Sequence, residues 1–251
     1  SMKKMLWLLG ALAAFILAGC REEGRSVVSG NAAYYWSTVF QLSPQQHDFI
    51  RRHGITRLYI RYFDVVKNTD GQLMPNATIQ FEDTIPEGLE IIPTVFILNE
   101  CMDNGDSTLT DKIATRILQM NETHDIPNVR EIQIDCDWTK RTEKQFFGFM
   151  QSLREKLKAK GISLSSTIRL HQLSMEAPPA DYGVLMLYNT GDPRNWTERN
   201  PILDIRDVHP YTKRLDSYPL PLAAAYPVFN WLRIIDGVHI EHTVEADEIL
   251  Q

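Results

Sequence analysis

The sequence has no surplus of positive charge and no motif for a bound phosphate or metal, and each shortage excludes a class of function. Its 26 Lys and Arg residues are outnumbered by 32 Asp and Glu, which gives a formal net charge of −6. Because nucleic-acid-binding proteins present basic surfaces, this balance argues against DNA or RNA as a partner. The sequence shows no Gly-rich phosphate loop, no Ser-His-Asp order and no Cys/His spacing typical of zinc, so we expect no cofactor and no metal.

Cysteine is also scarce. The three cysteines are Cys20, Cys101 and Cys136. Cys136 lies within a predicted strand and Cys101 within a predicted loop, and we expect both to be free thiols rather than a disulfide. Cys20 belongs to a separate pattern near the N-terminus.

The apolar run in this N-terminal pattern is shorter than the roughly 20 residues that a membrane-spanning helix needs. It extends from Met5 to Leu17, follows two lysines and leads into the string Leu-Ala-Gly-Cys at residues 17–20. This order resembles the lipobox of bacterial lipoproteins, in which the leader is cut before the cysteine and the cysteine carries lipid. The resemblance implies a signal over residues 1–20, a lipid at Cys20 and attachment to the cell envelope, at an outer membrane. A transmembrane anchor is the alternative.

Residues 21–31 are predicted to be a flexible tether, because charged and Gly/Ser-containing stretches are normal linkers. Arg21, Glu22 and Glu23 resemble the surface-export signals of Bacteroides-type lipoproteins, and a plain solvated linker is the alternative. Residues 32–251 are long enough for one (β/α) barrel domain.

Strand-like and helix-like segments alternate through residues 32–251, which predicts parallel strands with helical crossovers. The predicted strands cover residues 33–39, 57–63, 91–97, 131–137, 163–168, 184–188 and 220–226. Capping boxes at Ser43/Gln46 and Thr142/Gln145 begin two helices, and further helices are predicted over 109–121 and 201–208. Residues 66–90 are predicted to be a long loop.

Seven strands with intervening helices predict an α/β fold of the TIM barrel type. The eighth strand is weak or missing, because Val238–Ile240 is the only strand-like stretch after Tyr226. The barrel is therefore expected to be open at that point or to end in a short strand.

Active sites of TIM barrels lie at the carboxyl ends of the strands, where this sequence places acids and aromatic rings. The candidates for substrate binding are Trp36, Arg61, Asp64, Trp138, Tyr188, Asn189 and Trp231. Sugars offer apolar ring faces and many hydroxyls, so aromatic platforms beside hydrogen-bonding acids are what a glycan site needs. Core packing is an equally good explanation for Trp36 and Tyr188.

Asp135 and Asp137 are the catalytic candidates. They share one face of the fourth predicted strand because side chains alternate with a period of two. Two like charges on one face should raise the pKa of one of them, which favours a proton donor for glycosidic cleavage. The alternative is structural, with these acids paired to Arg61 or to hydroxyls such as those of Ser165 and Thr167.

The stretch from Ile132 to Thr139, IQIDCDWT, resembles the signature strand of family 18 glycoside hydrolases, the chitinases and endo-β-N-acetylglucosaminidases. That signature is Asp-Gly-x-Asp-x-Asp-x-Glu. The string MLYN at residues 186–189 resembles the same family's Met-x-Tyr-Asp/Asn motif. The resemblance implies a TIM barrel that acts on glycans, with the substrate's acetamido group as nucleophile and with Tyr188 and Asn189 touching the sugar near the cleavage point.

The catalytic glutamate of that signature is not preserved. If Asp135 and Asp137 match the last two aspartates, Thr139 stands at the glutamate position and cannot donate the proton. If the register shifts by two residues, Asp137 takes the acid's place, Asp135 supports it and Gln133 replaces the preceding aspartate. The shorter side chain would then change the reach of the acid by about 1.5 Å.

Together these patterns predict a cell-envelope lipoprotein with a glycoside-hydrolase-like barrel that processes or binds glycans. As an enzyme it would use Asp137 as the acid and Asp135 to orient it, with Trp36, Trp138 and Trp231 stacked on sugar rings. One alternative is a non-catalytic lipoprotein that holds a glycan or a protein partner. Another is a structural envelope lipoprotein in which Asp135 is bridged to Arg61.

Overall fold

The computed structural model describes residues 30–187, 209–228 and 231–236. The strands, numbered in chain order, are β1 (Asn31–Tyr35), β2 (Val39–Phe40), β3 (Ile55–Lys67), β4 (Leu73–Asn76), β5 (Gln80–Phe81), β6 (Glu90–Ile97), β7 (Glu131–Cys136), β8 (Ser163–Ile168), β9 (Tyr182–Met186), β10 (Leu222–Val228) and β11 (Trp231–Asp236). The helices are α1 (Pro44–Arg52), α2 (Leu109–Thr123), α3 (Glu143–Lys158) and α4 (Thr212–Leu215). Single 3₁₀ turns occur at Asn99–Met102, Leu170–Ser174 and His209–Tyr211.

The strands form the predicted α/β barrel. β1, β3, β6, β7, β8, β9 and β10 pair in parallel in that order. β11 is antiparallel to both β10 and β1, and it closes the ring. The small strand β4 pairs with the carboxyl half of β3, and β2 pairs with β5 in a separate two-stranded sheet.

β11 takes the place of the eighth strand, which the sequence had predicted to be weak or missing. A parallel strand would need a crossover of about a dozen residues, whereas an antiparallel strand needs only a tight hairpin. β10 ends at Val228 and β11 begins at Trp231, with these two residues paired in the register. The short C-terminal remainder therefore suffices, and the barrel is closed rather than open. The stretch Val238–Ile240 lies outside the described residues, as does the helix predicted over 201–208.

The boundaries of several elements differ from the prediction. The first predicted strand is split into β1 and β2, because β2 leaves the barrel to pair with β5. The predicted loop over 66–90 contains the strands β4 and β5. The predicted capping box of α1 is present, with Ser43 and Gln46 bonded reciprocally. That of α3 is wrong, because the Thr142 hydroxyl bonds to Asn99 and to the Thr139 amide instead of capping the helix.

The sheet separates two cores of different character. Outward-facing side chains of β7, namely Ile132, Ile134 and Cys136, join the large apolar core beneath the helices. The alternating inward-facing side chains of the same strand, Glu131, Gln133 and Asp135, are polar and buried. Because side chains alternate along β7, every second one packs in the apolar layer outside the barrel and the others form a polar column inside it.

Cys101 and Cys136 are both free thiols, as expected, and both are buried. Within residues 30–187, 209–228 and 231–236, no helix combines the length and apolarity that crossing a membrane requires.

Candidate functional site

The amino-terminal half of the barrel interior is filled by a polar network around Glu131. The Glu131 carboxylate accepts hydrogen bonds from Arg57 at 2.6 Å, Ser165 at 2.6 Å, Tyr182 at 2.5 Å and Tyr59 at 3.1 Å. The glutamate is only 4% exposed and Arg57 only 6%. A buried charge of this kind is tolerated only when it is paired and hydrogen-bonded, and every donor here meets the same carboxylate.

Burial raises the pKa of both Tyr59 and Tyr182 well above the ordinary tyrosine value. Their hydroxyls consequently stay protonated at physiological pH. The two hydroxyls also lie within hydrogen-bond distance of each other, and because each has a single proton, each donates either to Glu131 or to the other tyrosine at any one time. The tyrosines therefore serve as hydrogen-bond donors to the buried carboxylate, which is a structural function in the amino-terminal half of the barrel interior.

A second layer above this network is filled as well. The Tyr34 hydroxyl donates to Gln133 at 2.5 Å, and the Gln133 amide donates to Ser165 at 3.2 Å. Small and branched side chains of the neighbouring strands complete the layer. The interior is thus a packed core rather than a pore, which leaves the carboxyl ends of the strands as the place for a site.

At those ends, β1 and β3 contribute Trp36, Arg61 and Asp64. Tyr34 pairs with Tyr59 and Tyr35 with Ile60, so continuing the register by one residue places Trp36 beside Arg61. The partly exposed Trp36 indole lies over the Tyr34 ring, with centroids 4.9 Å apart and planes 9° from parallel.

A bulge in β3 brings Arg61 and Asp64 to the same side of the sheet. Residues three apart would normally face opposite sides, but the register shifts between Arg61 and Phe63. The guanidinium binds the Asp64 carboxylate with two hydrogen bonds, of 2.6 and 2.5 Å. It also lies over the Phe96 ring of β6, with 5.2 Å from Cζ to the centroid. Arg61 is therefore fixed by a carboxylate on one edge and by a ring beneath it.

β7 and β8 contribute a second ion pair. Oδ1 of Asp135 accepts hydrogen bonds from the Thr167 hydroxyl at 2.7 Å and from Arg169 at 2.9 Å. Phe96 pairs with Asp64 on one side and with Asp135 on the other. The residues Trp36, Arg61, Asp64, Phe96, Asp135, Thr167 and Arg169 thus form a continuous row across five neighbouring strands, called here the mouth row.

The two catalytic candidates do not share one environment. β7 ends at Cys136, so Asp137 has left the strand, and its side chain is 58% exposed. Its carboxylate lies 3.4 Å from the His171 imidazole, whereas Asp135 is buried in its ion pair. The expectation of two like charges on one face of a strand is therefore wrong. The predicted structural partner of Asp135 is partly right, since Thr167 binds it, but the arginine is Arg169 and not Arg61.

Trp138 is not available to a sugar. It is completely buried, and its ring packs against Phe146 and Phe147 of α3 at centroid distances of 6.0 and 5.1 Å. Its interpretation as a stacking platform is wrong, because the chain turns beyond β7 and directs this side chain under the helix. Thr139 is exposed and belongs to the same turn, where its amide donates to the Thr142 hydroxyl at 3.0 Å.

The remaining predicted residues lie outside what the structure describes. Tyr188 and Asn189 come directly after residue 187, where the description of the chain beyond β9 stops. Trp231 is the first residue of β11, and its side chain is not described. Sequence reasoning missed Phe96 and did not select Arg169. Phe96 lies in an almost continuous apolar run, so the sequence does not show that its side chain faces the barrel interior. Arg169 comes one residue after β8, and its position at a strand end was the only signal for it.

In the described part of the chain no group of three or more metal-ligating side chains is found. A polar surface cleft of about 600 Å³ lies between the β3–β4 turn and the start of α2. Its lysines are already bound, Lys67 to the Glu100 carbonyl at 2.7 Å and Lys112 to Asp106 at 3.2 Å. The cleft carries no aromatic platform, so the mouth row is the better candidate site.

No family model and no curated protein sequence matches the chain. Among solved structures, the spore cortex-lytic enzyme SleL of Bacillus cereus aligns with a TM-score of 0.50 and 18% identity over 84% of this chain and 55% of its own. A chitinase from Chromobacterium violaceum aligns with a TM-score of 0.51 and 13% identity over 77% of this chain and 66% of its own. SleL of Bacillus megaterium aligns with a TM-score of 0.50 and 15% identity over 82% and 54% of the two chains.

The chain spans about half to two thirds of the length of these proteins. At such identities the likeness is one of fold. The chain therefore shares the α/β barrel fold of these enzymes.

Proposed function

We propose that this chain is a cell-envelope lipoprotein, attached through lipid at Cys20, whose barrel mouth binds glycans. The observation that carries the proposal is the mouth row, in which a tryptophan face, two ion pairs and a second aromatic ring stand side by side at the carboxyl ends of the strands. Aromatic faces match the apolar side of a pyranose, and carboxylates and guanidinium groups bind its hydroxyls. The likeness in fold to a chitinase and to cortex-lytic enzymes supports the same ligand class.

Binding is favoured over cleavage by the state of the acids. Thr139, at the position of the family's glutamate in one register, has no acidic proton and lies in a surface turn. Oδ1 of Asp135 is already bonded to the Thr167 hydroxyl and to the Arg169 guanidinium, so this acid has two partners within the row. A non-catalytic glycan-binding barrel is consistent with both features.

The test is a screen of the protein against chitin-type, N-glycan and plant or host polysaccharides, with binding and product release recorded together. We expect binding to at least one class, and we expect Trp36→Ala to weaken it by about tenfold, since an aromatic contact contributes about 0.5–1.5 kcal/mol beyond the apolar area that it buries. Leu118→Ala is the matched control, because it removes an exposed apolar side chain on α2. Absence of binding across the panel, or equal affinity of the Trp36 variant, would contradict the proposal.

Hydrolysis is the second candidate function, and the pairing of Asp137 with His171 at the rim of the mouth favours it. In this case Asp137 would exchange the proton and the imidazole would orient it. Product release in the same screen that disappears in Asp137→Asn while binding persists would support a hydrolase. Release that survives the substitution would remove Asp137 from the chemistry.

The attachment to lipid has a test of its own. We expect the protein, expressed in a bacterium from its own leader, to partition with membranes and to incorporate labelled palmitate. Cys20→Ser should abolish both, because the sulfur that would carry lipid is gone. A Cys20 variant that still partitions with membranes would favour the transmembrane alternative.

A further inference from the structure

We infer that the mouth row selects an uncharged sugar over an acidic or a basic one, and that its two ion pairs set this preference. The inference rests on the proposed glycan binding and names the class of sugar. It starts from two contacts of the row, in which each carboxylate is bonded to an arginine.

Both pairs are short and partly shielded from water. Arg61 and Asp64 are joined at 2.5 Å, with side-chain exposures of 30% and 9%. Arg169 and Asp135 are joined at 2.9 Å, with exposures of 22% and 6%. Charges with so little exposure are screened less than surface charges, so their balance is felt by any group placed beside them.

The row keeps hydrogen-bonding capacity after these charges are balanced. Asp135 uses Oδ1 for both of its bonds, and Arg61 uses Nε and Nη2. In the described part of the chain, no side chain or backbone group binds Oδ2 of Asp135 or Nη1 of Arg61. An acceptor and a donor are therefore offered together, which suits hydroxyl groups that both donate and accept.

A charged sugar should bind to this row with lower affinity than a neutral one. A carboxylate placed against Arg61 also meets Asp64, and an ammonium placed against Asp135 also meets Arg169. Either group would lose its hydration without gaining an unmatched partner. The formal charge of −6 adds a long-range repulsion for polyanions and an attraction for polycations, so the selection against a basic sugar is assigned to the ion pairs alone.

The rim pair of Asp137 and His171 does not change this balance. Their side chains are 58% and 52% exposed, so water and salt screen them. The preference is therefore assigned to the two inner ion pairs.

The experiment measures affinities of the full chain for two matched pairs of oligosaccharides at about 0.15 M salt. One pair is N-acetylchitohexaose and its deacetylated hexamer, and the other is cellohexaose and a β-1,4-glucuronan hexamer. We expect at least one neutral member to bind, and to bind about tenfold or more tightly than its charged counterpart. This ratio in the unmodified protein tests the inference without any variant.

Two variants then test the origin of the preference. Arg61→Gln leaves Asp64 without its cation and should shift the chitin-type ratio towards the deacetylated hexamer. Asp135→Asn removes the carboxylate that faces Arg169 and should shift the cello-type ratio towards the glucuronan. Arg51→Gln and Asp48→Asn are the controls, because they remove the partners of an exposed ion pair on α1 and should leave both ratios unchanged.

Each outcome has one meaning. A shift towards the deacetylated hexamer in Arg61→Gln, together with a shift towards the glucuronan in Asp135→Asn, supports the inference. A charged hexamer that binds as well as its neutral counterpart overturns the selectivity and leaves the proposed glycan binding intact, as do variants whose ratios equal those of the controls. No binding by any of the four oligosaccharides, together with none in the wider polysaccharide screen, overturns the proposed function and the inference with it.

Discussion

The buried network around Glu131 permits a quantitative prediction for Glu131→Gln. The substitution keeps the shape of the side chain but removes the charge that faces Arg57 at 2.6 Å, and it turns an amide N–H towards existing donors. Breaking one partner of a buried ion pair costs about 3–5 kcal/mol. Glu90 remains 3.2 Å from Arg57, so the lower end, about 3 kcal/mol, is expected.

The assay is urea denaturation followed by tryptophan fluorescence and circular dichroism. With a urea m-value of about 1–3 kcal/mol/M, the loss corresponds to a midpoint lowered by about 1–3 M. In a thermal melt, a domain of this size should lose about 6–12 °C. Glu122→Gln, an exposed substitution on α2, is the control and should change the free energy of unfolding by no more than about 0.5 kcal/mol.

A double-mutant cycle identifies the interaction itself. Arg57→Gln combined with Glu131→Gln places two neutral amides where two charges stood, so the pair should lose less than the sum of the single losses, by about 2 kcal/mol. A Glu131→Gln variant as stable as the Glu122 control, or a cycle whose losses simply add, would refute the reasoning that this ion pair holds the barrel interior together.

Three further predictions concern other parts of the fold. Gly183→Ala should cost about 1–3 kcal/mol in urea denaturation, because its Cβ would lie 2.8 Å from an isoleucine side chain, whereas Gly148→Ala in α3 meets nothing and should not destabilise. A hydrogen bond from the Thr108 hydroxyl lowers the pKa of Asp106. The ionised Asp106 therefore stabilises the folded protein at pH values above the ordinary aspartate pKa, and this stabilisation is lost as the pH falls. The difference in melting temperature between wild type and Asp106→Asn should therefore shrink from about pH 6 to about pH 3. Cys101 and Cys136 are both buried, and burial raises the pKa of Cys101 to about 11. In a Cys20→Ser chain, neither thiol should react with a thiol reagent at about pH 8 until the protein unfolds.

The fold was predictable from the sequence because its signals are local and repeated. Inward and outward alternation, helix caps and glycine stops placed the strand Ser163–Ile168 at the residues that the structure has. The closure was not predictable in the same way, because β11 depends on its partners β10 and β1 and not on a pattern of its own. A hairpin of this kind replaces a crossover only when the ends of the sheet already lie close together.

The candidate site was predictable only in part, for a related reason. Strand-end position predicted that Trp36, Arg61, Asp64 and Asp135 lie at one end of the barrel, and the structure has them there as neighbours, while their role in binding stays a prediction. The alternation rule failed beyond Cys136, where the strand ends and the side chains of Asp137 and Trp138 follow the turn instead. The bulge that brings Asp64 to the side of Arg61 is a property of strand pairing, which the pattern of a single strand cannot reveal.

Stability and binding are assigned to different residues of the same strand, and this division can be separated experimentally. Glu131 and Asp135 lie four residues apart on β7, which is about 13 Å, and they share no hydrogen-bond partner among the residues that the structure describes. Sites at that separation are energetically independent to within about 0.5 kcal/mol. Glu131→Gln should therefore lower the melting temperature while leaving oligosaccharide selectivity unchanged at temperatures where the protein is folded. Asp135→Asn should change the selectivity, and the double variant should show both effects additively. If Glu131→Gln alters selectivity as strongly as Asp135→Asn, then the polar column acts as one unit, and the binding surface extends into the interior of the barrel.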